Sequence, residues 1–269
     1  MSYCYLFVPG NRSDRFEKAH ATNANFVVID LEDAVASEDK KLARNNALDW
    51  ISSSNNYSTK SIIRINGIDS DYFENDVKAL SSKKIIAIMV PKVENDLVLK
   101  QLDSLIPDQS IRFIPIIESA LGLKNVYEIA QASRVERLAF GSVDFQLDTG
   151  IPSEGDALLF ARSAIVIASA ASRLRAPIDG VTLDIDNLEQ LDSDINYAKS
   201  LGFGAKLCIH PCQVKATIEG FKPTEAELAW AHEICEASNR AAGSAIRLNG
   251  KLVDLPVVLR AQRILEDFR

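Results

Sequence analysis

The sequence has little of what several classes of protein require. Its net charge is −7 at pH 7, so it offers no basic face for nucleic acid. No apolar run approaches the roughly 20 residues that span a bilayer. The first 15 residues, MSYCYLFVPGNRSDR, lack the basic, apolar and small-residue regions of a secretory signal. We therefore expect a soluble, cytoplasmic protein with neither a nucleic-acid nor a membrane partner.

Cysteine and histidine are also scarce. The four cysteines form no C-x-x-C pair, and in a reducing compartment scattered thiols are usually buried apolar residues. They are Cys4, Cys208, Cys212 and Cys235. Of the three histidines, only His210 follows a predicted strand, since His20 and His232 fall in predicted helices. This disfavours a zinc site, and His210 is expected to shape a turn, although a ligand role for it stays open.

One unit repeats along the 269 residues: a short apolar run, a polar turn and a longer amphipathic segment. Eight runs have the length of strands buried on both faces. They are YLFVP from Tyr5, FVVIDL from Phe26, SIIRIN from Ser61, AIMVPK from Ala87, RFIPIIE from Arg112, RLAFGSVD from Arg137, DGVTLDID from Asp179 and AKLCIH from Ala205. Eight such units can close on themselves, and no G-x-G-x-x-G follows the first run. The pattern therefore predicts an α/β fold, a TIM (β/α)8 barrel, rather than an open doubly wound sheet.

The end of the chain departs from this repeat. Asn249-Gly250 stands between two short apolar runs, which predicts a β-hairpin, and Pro256 suits the first turn of a final helix. We predict a barrel catalytic domain over residues 1–240 and a C-terminal hairpin-helix lid over 241–269.

Polar residues stand where the predicted strands end, and in this fold those ends form the active site. They are Asp30, Glu32 and Asp33 on the second strand, Arg64 and Asn66 on the third, Lys92 on the fourth, Glu118 on the fifth, Asp144 on the sixth and His210 on the eighth. Two carboxylates such as Glu118 and Asp144 repel one another unless a proton or cation lies between them, and oxygen ligands favour Mg²⁺. The alternative is that each caps the helix that follows.

Arg64 interrupts an apolar run, and a buried guanidinium needs an anionic partner. It pairs with a protein carboxylate such as Asp33, or it binds a carboxylate or carbonyl of a substrate, and both can hold. Glu32 and Asp33 either orient waters of the metal or begin the second helix.

Several segments in this order resemble the citrate lyase β-subunit (CitE-like) branch of the HpcH/HpaI aldolase family, which includes citryl-CoA, malyl-CoA and citramalyl-CoA lyases. They are LFVPGNRSDRFEKA from Leu6, VVIDLEDAV from Val27, IIRIN from Ile62, VPKVE from Val90, IPIIESALG from Ile114, RLAFGSVDF from Arg137, DGVTLDIDNLE from Asp179, GFGAKLCIHPCQV from Gly202 and GKLVDLPVVLRAQRIL from Gly250. Together they span almost the whole chain.

The resemblance implies a TIM barrel with Mg²⁺ held by Glu118 and Asp144, and with Glu118 beside the substrate. It implies that Arg64 binds the substrate and polarises its carbonyl oxygen, and that Asp33 lies near the metal waters. It also implies that the turn of Gly10, Asn11 and Arg12 approaches coenzyme A.

The resemblance further implies that the aspartate of LVDLPVV, Asp254, supplies an acid/base group from a lid over a neighbouring subunit, so that the protein is a homo-oligomer, a trimer or hexamer. The alternative for Asp254 is an N-cap of the last helix.

The predicted function is that of a Mg²⁺-dependent carbon–carbon lyase. It acts on a β-hydroxyacyl-CoA, with citramalyl-CoA first and citryl-CoA next, and gives acetyl-CoA and a 2-oxo acid. Alternatives are a malyl-CoA-type thioesterase, aldol chemistry on free pyruvate, a β-subunit that receives its thioester from an acyl carrier protein within a complex, and a non-catalytic barrel. The loop GSVDFQLDTGIPSEG and the polar stretch NNYSTK offer no residue that selects the acyl group.

Overall fold

The short apolar runs form strands because β-branched and other apolar residues fill a sheet that is covered on both faces. All eight strands lie parallel and close into one barrel, in chain order. They are β1 (Cys4–Pro9), β2 (Phe26–Asp30), β3 (Ser61–Arg64), β4 (Ala87–Val90), β5 (Arg112–Ile117), β6 (Ala139–Phe140), β7 (Ile178–Asp179) and β8 (Ala205–Cys208). This computed structural model describes residues 3–53, 60–81, 85–241 and 244–268. The predicted TIM barrel is confirmed.

Helices follow the strands and cover the outside of the barrel. They are α1 (Phe16–Ala21), α2 (Lys40–Ser52), α3 (Phe73–Leu80), α4 (Leu97–Leu105), α5 (Ala120–Lys124), α6 (Val126–Gln131), α7 (Ser142–Thr149), α8 (Leu159–Ala171), α9 (Leu188–Leu201) and α10 (Cys212–Phe221). Short 3-10 turns precede α1, α2 and α8. In α3 the apolar spacing of Phe73, Val77 and Leu80 buries all three side chains, as an amphipathic helix on a barrel requires.

Alternation along the strands decides which side chains enter the barrel. Val28 on β2 and Ile62 on β3 belong to the buried cluster inside it. Two residues further along each strand, the same alternation places Asp30 and Arg64 on the inner side, and the two are partners in the strand register. The carboxyl ends of the strands and the loops after them, called here the barrel mouth, therefore receive the polar residues.

The seventh predicted strand is wrong in its position. The sequence predicts this strand from Asp179 onward, whereas β7 is Ile178–Asp179 and the following segment is irregular. Val181, Leu183 and Ile185 alternate with polar residues, so the run has the period of a strand, but Leu183 is 66% exposed. The segment is a loop of the barrel mouth.

The chain divides into two compact units, and the larger ends at Ile218. The smaller, Glu219–Arg269, contains α11 (Glu225–Arg240), β9 (Ile246–Leu248), β10 (Lys251–Val253) and α12 (Leu255–Phe268). Asn249 and Gly250 have φ of 49° and 78°, which suits a two-residue turn between antiparallel strands, so the predicted hairpin is confirmed. The functional division into a catalytic domain over 1–240 and a lid over 241–269 stays a prediction.

Among the described residues, no helix has both the length and the apolar character needed to cross a membrane. Of the polar stretch NNYSTK, residues 55–59 lie outside the described part of the chain.

Candidate active site

Arg64 is held by Asp30 in a two-point ion pair. Its Nε and Nη2 donate to Asp30 Oδ1 and Oδ2 at 2.6 and 2.7 Å, the parallel geometry that a guanidinium and a carboxylate favour. The Asp30 carboxylate also accepts the backbone N–H groups of Glu32 (2.9 Å) and Ala34 (3.0 Å). The predicted pairing of Arg64 with a protein carboxylate is therefore present, with Asp30 as the main partner and Asp33 as a more distant one, 3.8 Å from Arg64 Nη1 to Asp33 Oδ2.

The remaining edge of Arg64 faces the acidic loop after β2. Nη1 lies 3.1 Å from Glu32 Oε2, and Phe7 packs its ring against the guanidinium with 4.7 Å between the ring centroid and Cζ. Burial works against the charge, but Asp30 raises the pKa of Arg64 above its ordinary range. Arg64 is thus a fixed cation whose Nη1 edge is the one turned toward the mouth.

Lys92 bridges the acidic loop to the fifth strand. Its Nζ forms ion pairs with Glu32 and, at 3.3 Å, with Asp33, and its backbone N–H donates to Glu118 Oε1 at 2.5 Å. Burial raises the pKa of Glu32 despite the opposing charges of Arg64 and Lys92. Glu32 is buried whereas Asp33 is exposed, so Asp33 presents its carboxylate to the solvent-filled part of the mouth.

Glu118 is buried at the end of β5, where its carboxylate accepts the backbone N–H of Lys92. Burial raises the pKa of Glu118 to about 8, and the negative charges of Glu32 and Asp144 act in the same direction. Gly141 makes room for this side chain, because a Cβ at that position would collide with the Glu118 carboxylate. A buried carboxylate that its surroundings disfavour is well suited to a cation, which reverses the penalty.

Asp144 lies in the first turn of α7, one strand further round the barrel than Glu118. Its charge acts on Glu118, so the two carboxylates are electrostatic neighbours. Among the residues that the structure describes, no group of three or more His, Cys, Asp or Glu side chains is arranged to hold a metal. A site of two carboxylates leaves positions for water and substrate, which is the usual habit of Mg²⁺.

The helix-cap alternatives for these acids are wrong. Ser119 is the N-cap of α5 and Gly141 the N-cap residue of α7, so Glu118 and Asp144 cap neither helix. The second helix begins beyond Glu32 and Asp33, at Lys40. These four carboxylates are instead available to the mouth.

Lys40 and Asp76 are buried charged residues that form hydrogen bonds to the segments after β2 and β3. The buried Nζ of Lys40 donates to the carbonyl oxygens of Leu31 and Glu32 at 2.8 and 2.7 Å. Asp76, fully buried on α3, accepts the Nδ2 group of Asn66 at 2.6 Å and pairs with Arg44 at 2.6 Å. Sequence reasoning missed both supporting residues, because nothing in the helical pattern of α2 or α3 marks a buried charge.

The predicted coenzyme A turn follows β1. Gly10 donates its N–H to Asp30 O at 2.8 Å, and a Cβ at Gly10 would meet that same oxygen, so the turn is packed directly against the acidic strand end. Asn11 donates to Asp39 Oδ2 at 2.8 Å. Arg12 is exposed and pairs with Asp14 at 2.8 Å. The contact of Asn11 and Arg12 with coenzyme A stays a prediction.

The expectation that the thiols are buried is correct for only part of the set. Cys4 and Cys208 are buried with 3.6 Å between their sulfur atoms. Cys212 is exposed, because it begins α10 at the mouth, and its sulfur lies 2.9 Å from His210 Nδ1. His210 accordingly contacts Cys212 in the turn after β8.

Asp254 belongs to the C-terminal unit and immediately precedes α12. The backbone N–H of Val257 points to its Oδ1 at 3.4 Å, so the N-cap alternative has a geometric basis. Its predicted acid/base role in a lid stays a prediction.

An eight-stranded barrel with a cationic arginine and clustered carboxylates at the carboxyl ends of its strands defines a TIM-barrel enzyme. The sequence model of the HpcH/HpaI aldolase/citrate lyase family matches residues 4–211 of this chain. This chain therefore belongs to the HpcH/HpaI aldolase/citrate lyase family.

Similar proteins agree with this assignment. Citrate lyase subunit beta of Leuconostoc mesenteroides subsp. cremoris is 34% identical, over 97% of this chain and 91% of that protein. L-malyl-CoA/beta-methylmalyl-CoA lyase of Rhodobacter capsulatus is 32% identical, over 98% and 94%. The crystal structure of protein CitE from Mycobacterium tuberculosis in complex with magnesium, acetoacetate and coenzyme A has a TM-score of 0.86 and 31% identity, and covers 99% of this chain and 98% of that chain. The predicted family and the predicted enzyme class, a lyase, are confirmed.

Proposed function

We propose that this protein is a Mg²⁺-dependent lyase that makes or breaks a carbon–carbon bond next to a coenzyme A thioester. In the cleavage direction a β-hydroxyacyl-CoA gives acetyl-CoA and a 2-oxo acid. The observation that carries the proposal is the buried carboxylate of Glu118, disfavoured by its surroundings and set beside Asp144 at the barrel mouth. The solved relative that holds magnesium, acetoacetate and coenzyme A supports the choice of ligands.

Glu118 and Asp144 would hold the metal. Their oxygen donors suit a hard cation, and the raised pKa of Glu118 is what a carboxylate shows when its burial is not offset by positive charge. When bound, Mg²⁺ supplies Lewis-acid polarisation and a template for the substrate oxygens.

Arg64 would bind the substrate and polarise its carbonyl oxygen. Its Nε and Nη2 are committed to Asp30, and Nη1 lies 3.1 Å from Glu32 Oε2. Nη1 is therefore the nitrogen that would be shared between Glu32 and the carboxylate or developing oxyanion of the substrate. Asp33, exposed beside it, is the carboxylate placed to orient water or to take a proton at the mouth.

The carbon–carbon bond breaks after the hydroxyl proton of the substrate is removed, and its electrons pass to the thioester enolate. Asp254 then protonates the enolate carbon, and in the reverse direction it removes a proton from acetyl-CoA. We propose that Asp254 acts from a lid on a neighbouring subunit, so the active form is a homo-oligomer, a trimer or hexamer. Exposed Leu147 (82%) and Phe160 (79%) support association, because such large apolar side chains commonly lie in subunit contacts.

Citramalyl-CoA is the first substrate proposed, and citryl-CoA and malyl-CoA follow. The similarity to citrate lyase subunit beta favours one further candidate function, a subunit that receives its thioester from an acyl carrier protein within a complex. A cytoplasmic location remains the expectation from the sequence.

Coupled detection of acetyl-CoA and 2-oxo acid from citramalyl-, malyl- and citryl-CoA tests the proposal, first with Mg²⁺ and then with EDTA. We expect both products from at least one thioester, and their loss with EDTA. Release of CoA without acetyl-CoA indicates a thioesterase. No activity toward any of the free thioesters contradicts the proposed reaction and favours a subunit that requires its substrate on an acyl carrier protein.

A further inference from the structure

Lys92 contacts three carboxylates of the mouth through two different groups. Its backbone N–H donates to Glu118 Oε1 at 2.5 Å. Its Nζ forms ion pairs with Glu32 and, at 3.3 Å, with Asp33. The residue thus joins the acidic loop after β2 to the end of β5 across the intervening strands.

The backbone of Lys92 adopts a conformation that residues with a side chain seldom take. Its φ is 53°, in the left-handed region, which costs a non-glycine residue free energy and persists where the surroundings enforce it. Lys92 follows β4 and Pro91, so the chain turns here directly after the strand. This turn presents the N–H of Lys92 to Glu118, and a residue in the usual range of φ would direct the chain elsewhere.

The side chain of Lys92 partly neutralises an excess of negative charge at the mouth. Five carboxylates stand at the mouth against the cations of Arg64, Lys92 and the buried Lys40; they are Asp30, Glu32, Asp33, Glu118 and Asp144. Burial opposes the ammonium form, but the hydrogen bond and charge of Glu32, with those of Asp33, raise the pKa of Lys92 above its ordinary range. Lys92 therefore stays charged at neutral pH.

We infer that Lys92 is a positioning residue of the metal site, whose N–H orients Glu118 and whose ammonium fixes Glu32 and Asp33 around it. The inference rests on the proposed function for the identity of the metal. Lys92 acts through carboxylates and not on the reacting atoms. Residues that orient metal ligands in this way typically change metal affinity or activity by about 10- to 100-fold when replaced.

Three variants separate the two contributions. Lys92→Gly removes the ammonium and leaves the backbone free to keep positive φ. Lys92→Arg keeps a cation, and Lys92→Val removes the cation and also resists positive φ, since β-branched residues are disfavoured there. Arg173→Gly is the matched control, because Arg173 is an exposed cation with φ of 56° in the turn after α8, at the amino end of β7.

Mg²⁺ affinity is measured by calorimetry on each folded variant, and thermal unfolding confirms the fold. We expect about 10- to 100-fold weaker Mg²⁺ binding in Lys92→Gly, a further loss in Lys92→Val, partial recovery in Lys92→Arg and no change in Arg173→Gly. In the lyase assay, saturating Mg²⁺ should restore part of kcat in Lys92→Gly, and added ethylammonium should restore Mg²⁺ affinity in part. If Lys92 only packs against its neighbours, neither saturating Mg²⁺ nor ethylammonium will restore the lost function.

Wild-type Mg²⁺ affinity in folded Lys92→Gly overturns the inference, as does a loss that Lys92→Arg does not relieve at all. A wild-type protein that binds Mg²⁺ but cleaves no thioester contradicts the proposed function and leaves the affinity comparison valid. An active wild type with equally active Lys92 variants contradicts the Lys92 inference alone. A wild type that binds no Mg²⁺ contradicts both.

Discussion

Asp30 and Arg64 face each other across β2 and β3 in direct strand register, with both guanidinium-to-carboxylate contacts between 2.6 and 2.7 Å. The pair fixes which edge of the guanidinium is left for a substrate. Arg64 can therefore serve as a preorganised donor only while the Asp30 side chain holds it in place.

Replacement of Asp30 by Asn should weaken the protein and its activity together. The amide of Asn places N–H groups against the guanidinium, so a largely buried charge loses its partner. We expect the free energy of unfolding to fall by about 1–3 kcal/mol, measured by urea denaturation, with a lower kcat/KM. Glu219→Gln, at the exposed pair with Lys222, should change neither quantity. Equal urea midpoints for Asp30→Asn and wild type would show that the pair does not stabilise the fold.

Glu118→Gln should separate metal binding from folding. The amide has nearly the shape of the carboxyl group but is a poor ligand for Mg²⁺. We expect lyase activity to fall by more than about 100-fold, since a metal contributes several kcal/mol to a transition state, while circular dichroism stays that of wild type. Mg²⁺ should raise the Tm of wild type and leave that of Glu118→Gln unchanged. Glu128→Gln, on the exposed side of α6, is the control, and full activity in Glu118→Gln would remove the metal assignment.

Asp254 has two proposed tasks that substitution can distinguish. Asn at this position keeps an oxygen that can accept from the N–H of Val257 but cannot donate or remove a proton in catalysis. We expect Asp254→Asn to keep the Tm of wild type and to lose about 10²- to 10⁴-fold in kcat. Asp254→Ala should also lower the free energy of unfolding by about 0.5–2 kcal/mol. Wild-type kcat in Asp254→Asn would leave Asp254 as a helix cap only.

His20 should make the barrel less stable in mild acid. Its ring lies buried on α1, with Nδ1 2.8 Å from Phe16 O and Nε2 3.1 Å from Ser61 Oγ, and burial lowers the pKa of His20 below its ordinary value. The unfolded chain therefore binds a proton at a higher pH than the folded chain does. Folded stability is complete above about pH 6.5 and is lost as pH falls below it.

The measurement is urea unfolding at pH 7.5 and 5.5 for wild type and His20→Gln. Wild type should lose more stability between these two conditions than the variant, since other groups titrate alike in both. An NMR titration of the His20 ring checks the direction of the shift independently. An identical loss in the two proteins would contradict the prediction.

The barrel could be predicted from sequence because all of its strands except the seventh coincide with short apolar runs. Runs such as FVVID and AIMV are too apolar to lie on a surface and too short to be helices. Their strand ends also carry the acids and the arginine of the mouth, so Glu118, Asp144 and Arg64 could be found without coordinates. The hairpin at Asn249 was equally accessible, because few residues accept two successive positive φ values.

Other features depended on geometry that no local pattern contains. Asp30 was visible as a strand-end residue, but its role as the partner of Arg64 follows from the register of β2 and β3. The pair could have been found by comparing which residues of β2 and β3 point into the barrel at the same height. The left-handed φ of Lys92 has no signal in the sequence, since lysine is not a residue that prefers it. The sequence pattern misplaces the seventh strand, because the loop after Asp179 alternates apolar and polar residues as a strand does.

Ion pairs and the hydrogen bond from Lys92 join the ends of β2, β3 and β4 to the end of β5, and Asp144 follows in the first turn of α7, so these carboxylates and cations lie between residues 30 and 144. The later strands, β7 and β8, contribute the loop around Leu183 and the turn at His210 instead. The barrel residues that would hold the metal and orient the substrate thus precede β7 in the sequence, whereas the loops after β7 and β8 border the rest of the mouth. We expect loops of the later half to be exchangeable between relatives, as a means of altering which acyl group is accepted without rebuilding the reaction itself.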